Sequence, residues 1–245
     1  MNKFLIRFIC CFIPNRDLRH FLRKCRFGFY KIKGKNNQIL FYERKLPRFL
    51  KIVGLGISIN GNNNTIEIKG CKKAFENTRF IISANNNIYE LGHINFMHNV
   101  TIFSSWCNNQ KFYFGDNSDC NGARIYLFEE EATVSIGKNT IMSTNIDIWP
   151  TDGHSVIDKN TGSLLNALTK PILIGDNCWI AQGVRILKNV SIPSNTIIGA
   201  SSVVTKSFKE EFTIIAGNPA QVIKTNVSWD PMNPYYKKCE QGIKK

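Results

Sequence analysis

The sequence predicts an all-β chain wound as a parallel β-helix, a solenoid of short strands, on three observations. The first is a period of six: Ile174, Ile180, Ile186, Ile192, Ile198 and Val204 place an aliphatic residue at every sixth position. Four residues after each of these come Cys178, Val184, Val190, Thr196, Ser202 and Phe208, small or medium side chains in all but the last case. Neither a helix nor a continuous strand has that period. A short strand, a turn and the next short strand do, with the aliphatic residue pointing inward at the same height each time. The second observation is a coarser period of 22 or 23 upstream, relating Ile68, Leu91-Gly92, Phe114-Gly115 and Ile136-Gly137; the segments Arg79-Phe80-Ile81, Thr101-Ile102-Phe103 and Arg124-Ile125-Tyr126 superpose in the same way. Such segments are coils of three six-residue sides with a few extra residues at one corner. The third is the residue type at those corners: Asn62-Asn63-Asn64, Asn85-Asn86-Asn87 and Asn108-Asn109, since Asn and Gly enter left-handed backbone conformations cheaply.

Taken in order, residues 1–30 form a basic leader. Residues 3 to 27 read as two short helices split by Pro14, with Asn15 able to cap the second. Phe4, Leu5, Phe8, Ile9 and Phe12 share one face of the first; Leu18, Phe21, Leu22 and Cys25 share one face of the second, opposite Arg16, Arg19, Arg23, Lys24 and Arg26. Residues 1 to 51 carry 14 Lys/Arg against Asp17 and Glu43, a net +12 of the whole chain's +14, so a basic leader is attached to a nearly neutral body. That pattern suits peripheral contact of residues 1–27 with an anionic membrane surface; capping of the solenoid end or an oligomer contact are the other readings. Arg7 interrupts the apolar run and no small-residue cleavage site follows, which excludes a secretory signal. The apolar run is shorter than the roughly 20 residues a transmembrane helix needs. No nucleic-acid motif accompanies the charge, so no nucleic-acid partner is expected.

Residues 31–224 follow as one solenoid without a domain break. The repeat runs through Ile136, Met142 and Ile148, is interrupted by a non-repeating insertion over 149–168, and resumes at Ile174. A loop ejected from a solenoid escapes the packing rule and is where function tends to sit. Residues 225–245 form a C-terminal tail. The eight cysteines, at 10, 11, 25, 71, 107, 120, 178 and 239, show no CxxC pair and no His-flanked metal spacing. Cys178 falls on an inward repeat position and reads as a buried free thiol in a reducing compartment.

Four histidines are present, His20, His93, His98 and His154. His20 belongs to the leader. His93 and His98 lie in the Asn-rich coils; their spacing matches two of the three ligands of γ-class carbonic anhydrases, but the third is absent, so no metal is expected. His154 lies in the insertion, within TDGHSVID.

The run IGDNCWIAQGVRILKNVSIPSNTIIGASSVVTK, the later IIAGNPAQVIK and the TDGHSVID segment together resemble the hexapeptide-repeat acyltransferases, most closely the O-acetyltransferases of capsule and lipopolysaccharide and less closely the galactoside and xenobiotic acetyltransferases. The resemblance implies a left-handed β-helix of triangular cross-section. It implies acetyl-CoA as co-substrate, a sugar or polysaccharide acceptor, direct transfer in a ternary complex, and a homotrimer with each site between adjacent subunits. His154 matches the family's general base, a role for which imidazole suits a hydroxyl nucleophile near neutral pH. Asp152 could orient it, bind the acceptor, or close the turn. On the coenzyme side, Trp179 matches the tryptophan near the reacting groups and Gln182 a position meeting the pantetheine arm. Ala200 and Ser201 match small residues along that arm, Thr205 and Lys206 lie further toward the nucleotide, Pro219 matches the proline near adenine, and Lys224 is available to the phosphates. Ala181 and Gln221 depart from the usual Gly and the usual Lys or Arg. The function implied is O-acetylation of a bacterial cell-surface glycan or its precursor, in the cytoplasm or at the inner face of the cytoplasmic membrane. An N-acetyltransferase of an amino sugar nucleotide and a non-catalytic scaffold are the alternatives.

Overall fold

Strands of two to seven residues alternate with tight corners, and the structure, a computed structural model describing residues 30–42, 54–166, 170–232, 234 and 237, stacks them into three sheets. The first sheet contains β1 (Tyr30–Lys33), β3 (Leu55–Asn60), β5 (Thr78–Ser83), β8 (Val100–Ser105), β11 (Ala123–Leu127), β14 (Ile146–Trp149), β17 (Arg185–Leu187) and β20 (Val203–Val204). The second contains β2 (Gln38–Phe41), β4 (Thr65–Cys71), β6 (Ile88–Ile94), β9 (Lys111–Phe114), β12 (Thr133–Ile136), β15 (Ile172–Ile174) and β18 (Ser191–Ile192). The third contains β7 (Phe96–Met97), β10 (Asp119–Cys120), β13 (Ile141–Met142), β16 (Trp179–Ile180), β19 (Ile197–Ile198), β21 (Ile214–Gly217) and β22 (Ala220–Lys224). The chain passes from first to second to third sheet and back to the first one rung along. The sheets are the faces of a triangular prism and the corners are its edges: the first edge joins the first sheet to the second, the second edge joins the second to the third, and the third edge closes the coil.

The registers follow the sequence periods. Ile174 pairs with Ile192, Ile180 with Ile198 and Ile186 with Val204, each one 18-residue coil apart. Ile68, Leu91, Phe114 and Ile136 stack in one column of the second sheet. Phe80, Ile102 and Ile125 stack in the first sheet, flanked by the residues the repeat alignment matched to them. The expected β-helix is therefore the observed fold. Inward columns fill its axis: Phe75, Phe80, Tyr89, Phe112 and Phe114 occupy the wider coils, and Ile180, Val184, Ile186, Val190 and Ile198 the narrower 18-residue ones, all buried. A longer coil encloses a larger cross-section, and aromatic rings fill it to the density a core requires. Cys178 is a buried free cysteine, as its inward position predicts, and burial pushes its thiol up to about 11.

The corners depend on asparagine. Among the described residues 17 non-glycine residues have positive φ and 13 of them are Asn, so nearly every left-handed corner there is held by the residue that tolerates it best. Their side chains also bond from coil to coil. Along the first edge Asn62 N donates to Asn85 Oδ1 at 2.8 Å and Asn85 N to Asn108 Oδ1 at 2.9 Å; Asn108 N then donates to the Glu130 carboxylate at 2.8 Å. On the second edge, Asn177 donates to Asn195 at 2.8 Å and Asn195 to Glu211 at 3.0 Å. Each ladder thus ends on a carboxylate, where the acceptor is strongest.

The predicted leader helices lie outside the described residues. Among the described residues no helix is long and apolar enough to cross a membrane.

Candidate active site

The insertion leaves the prism at the first edge, between β14 and β15. Ile148 and its neighbour Ile186 are 38 residues apart, against 18 from Ile186 to Val204. Trp149 still belongs to β14, so the excursion starts at Pro150. It folds as an irregular hairpin closed by an antiparallel bridge between Ile157 and Leu164, its tip fixed by Asp158, which accepts from the Asn160 and Thr161 amides at 2.9 and 2.8 Å.

Two side chains hold the base of this hairpin. Thr151, buried, donates through Oγ1 to Glu129 Oε1 at 2.6 Å and accepts the Gly153 amide at 2.8 Å. Gly153 has φ +74° with nothing within 4 Å of a Cβ position, so glycine is needed there for its backbone conformation rather than for space. Asn166 spans the hairpin: its Oδ1 accepts the Val156 amide at 2.8 Å, and its Nδ2 donates to the His154 carbonyl at 2.7 Å and to Asp152 Oδ2 at 2.8 Å. Backbone on both sides of His154 is thereby fixed while its imidazole has no hydrogen-bond partner among the described residues.

The Asp152 carboxylate is occupied. Besides Asn166 it accepts from Lys188 Nζ, which comes from the next coil at the same edge. Of the three roles open to Asp152 from sequence, its hydrogen bonds serve the anchoring of the loop. The Lys188 contact, and then Asn166, hold its carboxyl below the usual value of 3.8. A depressed carboxyl contributes its stabilisation above the unfolded pKa and loses it as pH falls through the lower folded one. Hydrogen exchange over residues 150–166 should therefore be pH-corrected to the same protection at pH 8 and pH 5, and should lose protection only below about pH 4. Loosening between pH 7 and 5 would contradict the anchor.

The hairpin and the corners of the two preceding coils enclose an open cleft of about 390 Å³. His154, Gly153 and Leu164 line one wall; Cys107, Phe128, Glu129 and Glu130 line the other. The outer surface of the first sheet beside it is aromatic. Phe103 stacks on Tyr126 at 5.3 Å and Tyr126 on Trp149 at 3.8 Å, ring centre to ring centre, while Trp106 packs on Phe128 at 4.7 Å.

The remaining sequence candidates lie elsewhere on the prism. Trp179 begins β16 in the third sheet, exposed, 6.2 Å from the ring of Trp229, whose indole N–H donates to the Asn177 carbonyl at 2.8 Å. Gln182 follows it at the third edge. Ala200 and Ser201 occupy the same edge one coil along, where the Ser201 amide donates to the Gln182 carbonyl at 2.8 Å and Ser201 has φ 57°. Thr205 and Lys206 return to the first edge after β20; Lys206 Nζ donates to Gln221 Oε1 at 2.6 Å. Pro219 lies in the turn between β21 and β22, after a cis peptide bond, and Lys224 ends β22, exposed. Asp152, His154, Thr205 and Lys206 thus share one edge of the chain, and Gln182, Ala200 and Ser201 share another. None of Trp179, Gln182, Ala200 and Ser201 lines the His154 cleft.

Sequence reasoning missed Lys188, Glu129 and the aromatic wall, and gave the asparagine downstream of Thr161-Gly162, Asn166, no role. The one signal that could have pointed to Glu129 is the Glu129-Glu130-Glu131 run, which breaks an otherwise Asn-rich corner pattern. Among the described residues no three His, Cys, Asp or Glu side chains are grouped to hold a metal ion.

Comparison with known proteins matches residues 171–206 to the family described as bacterial transferase hexapeptide (six repeats). A polysialic acid O-acetyltransferase of Neisseria meningitidis is 30% identical over 211 residues, covering 82% of this chain and 88% of its own. A putative acetyltransferase of Saccharomyces cerevisiae is 35% identical over 127 residues, 51% of this chain, and the chain spans only 62% of that relative's length. Among solved structures, a polySia-specific acetyltransferase superposes with a TM-score of 0.58 at 21% identity, covering 86% of this chain and 96% of that one, a likeness of fold.

Proposed function

Because the chain belongs to the hexapeptide-repeat acetyltransferases, we propose that it transfers the acetyl group of acetyl-CoA to a hydroxyl of a bacterial cell-surface polysaccharide or its precursor. The observation that carries this reading is His154, held by its backbone on an anchored hairpin with its imidazole facing an open cleft. The imidazole takes the hydroxyl proton as the oxygen attacks the thioester carbonyl. The tetrahedral intermediate then collapses, the C–S bond breaks, and the imidazolium returns the proton to the departing thiolate. Backbone N–H groups would stabilise the oxyanion.

Acetyl-CoA enters as co-substrate. What supports its placement is the edge bearing Gln182, Ala200 and Ser201, where small exposed side chains leave the coil backbone approachable and the exposed Trp179 stands close by in the third sheet. That edge and the His154 cleft are separated on one chain. Assembly as a homotrimer would bring the coenzyme edge of one subunit against the His154 cleft of its neighbour, and a closed ring is a common symmetry for such an arrangement.

The test is acetyl-CoA consumption by the full chain against a panel of surface-glycan oligosaccharides, with coenzyme binding measured calorimetrically and mass by light scattering. Coenzyme binding and turnover by a trimer are the expected results. A chain that binds no acetyl-CoA at millimolar concentration would sink the enzymatic reading, and an active monomer would sink the two-chain site.

A further inference from the structure

Trp106 is held in an unusual state beside the His154 cleft. Register shows why: Ser83 pairs with Ser105, 22 residues on, whereas Asn85 bonds to Asn108, 23 residues on, so the coil after β8 contains one extra residue at this corner. The bulge puts Trp106 at φ 72°, a region that bulky side chains rarely adopt, and leaves it 72% exposed. Strain of this kind persists only where the surroundings impose it, and it clusters at ligand sites. Burial does not account for it, since the ring contacts Phe128 on one side and faces solvent on the other. Its indole N–H has no hydrogen-bond partner among the described residues. Phe128 itself lines the cleft, so the tryptophan platform is continuous with the wall opposite His154.

The charge of that surface narrows its ligand. The lining residues include Glu129 and Glu130 but no lysine or arginine. The nearby Arg124 and Arg185 both face buried Asp147: Arg124 donates Nε and Nη2 to its two oxygens at 2.7 and 2.9 Å, and Arg185 Nε stands 3.9 Å from it. Like-charge repulsion disfavours a carboxylated chain here. A neutral or amino sugar meets no such penalty: its C–H face is apolar and fits an aromatic ring, its hydroxyls suit an indole N–H, and Glu129 and Glu130, which already accept from Thr151 and from Asn108 and Asn109, contribute their negative charge to the surface.

Resting on the acetyltransferase reading above, we propose that Trp106 and Phe128 form a stacking subsite for an uncharged or amino-sugar ring adjoining the acetylated residue, making the acceptor a neutral or amino-sugar chain. Trp106 is a positioning residue for long acceptors and does not touch the reacting atoms.

The test uses the full chain on a glycan array spanning neutral, amino-sugar and sialylated bacterial fragments, beside acetyl-transfer kinetics with the best-retained oligosaccharide and its monosaccharide. Wild type is expected to retain neutral or amino-sugar chains. Trp106→Ala should raise KM for the oligosaccharide about tenfold with kcat within about twofold, leave monosaccharide kinetics unchanged, and be rescued in part by Trp106→Phe. His154→Ala should still bind the glycan while losing transfer; glycan retention without transfer by the wild type would count against the enzymatic reading and not against the subsite. Preferential retention of sialylated chains, retention of nothing, or equal oligosaccharide KM in Trp106→Ala would overturn the proposal. So would loss of the native oligomer in Trp106→Ala with monosaccharide activity falling in parallel, because a subunit contact would then explain the exposed ring.

Discussion

His154→Ala is expected to lower acetyl transfer by about a hundred- to ten-thousand-fold, the range that a positioned general base supplies, while acetyl-CoA binding stays intact. The two readouts separate because the histidine and the proposed coenzyme edge lie on different edges of the prism. Removal of the imidazole should also leave the hairpin in place. The bonds that hold it run through the His154 carbonyl, the Gly153 amide and the side chains of Thr151, Asp152 and Asn166, none of which the substitution touches. Unchanged hydrogen exchange over 150–166 with transfer lost would assign the effect to chemistry. Transfer retained above a tenth of wild type would place the base elsewhere.

Gly137→Ala should damage the scaffold at the corner it shares with the next coil. A Cβ there would stand 2.4 Å from Asp176 Oδ1 and 2.5 Å from the Gly175 carbonyl carbon. The carboxylate cannot simply swing away, because it accepts the Lys138 amide at 2.8 Å and so ties this corner to the next coil. Backbone must shift in one rung or the other, an overpacking cost of about 1–3 kcal/mol that a thermal melt reads as a drop of roughly 2–12 °C. Gly122→Ala is the control. Its Cβ would meet its nearest neighbour at 3.5 Å, an ordinary contact, and the melting temperature should move little. Equal shifts for both would mean that Gly137 matters for something other than the closeness of its neighbour.

The contrast between these two sites marks what can be read from sequence. Gly92, Gly115 and Gly137 recur after a large apolar residue at intervals of 22 or 23, and that recurrence reflects one repeated corner, so coil length, register and the inward columns are legible in the chain. Repetition carries that information because each coil packs only on its neighbours. The site is not repeated. Lys188 reaches Asp152 across 36 residues, and Asn166 reaches it across 14, through an excursion whose path no period constrains. The split of Asp152 and His154 from Gln182, Ala200 and Ser201 is equally invisible until the coils are closed into a prism and each corner acquires an edge. Trp106 illustrates the same point: one added residue in an Asn corner looks like noise in a repeat alignment and becomes an outward-facing ring in three dimensions.

A solenoid of parallel strands is also a stack with open ends, and an open rung is a template on which another chain can add. In the third sheet the chain closes that rung itself. After β21 it reverses, and β22 lies antiparallel to it, with a register irregularity at Ile214/Ile215 and with Gln221, Val222, Ile223 and Lys224 all exposed. Reversed direction, a disrupted register and a charged terminal residue are all poor continuations of a parallel stack. The turn bearing Pro219 therefore closes the third sheet: the same segment that the coenzyme is expected to approach removes one parallel edge on which another chain could add.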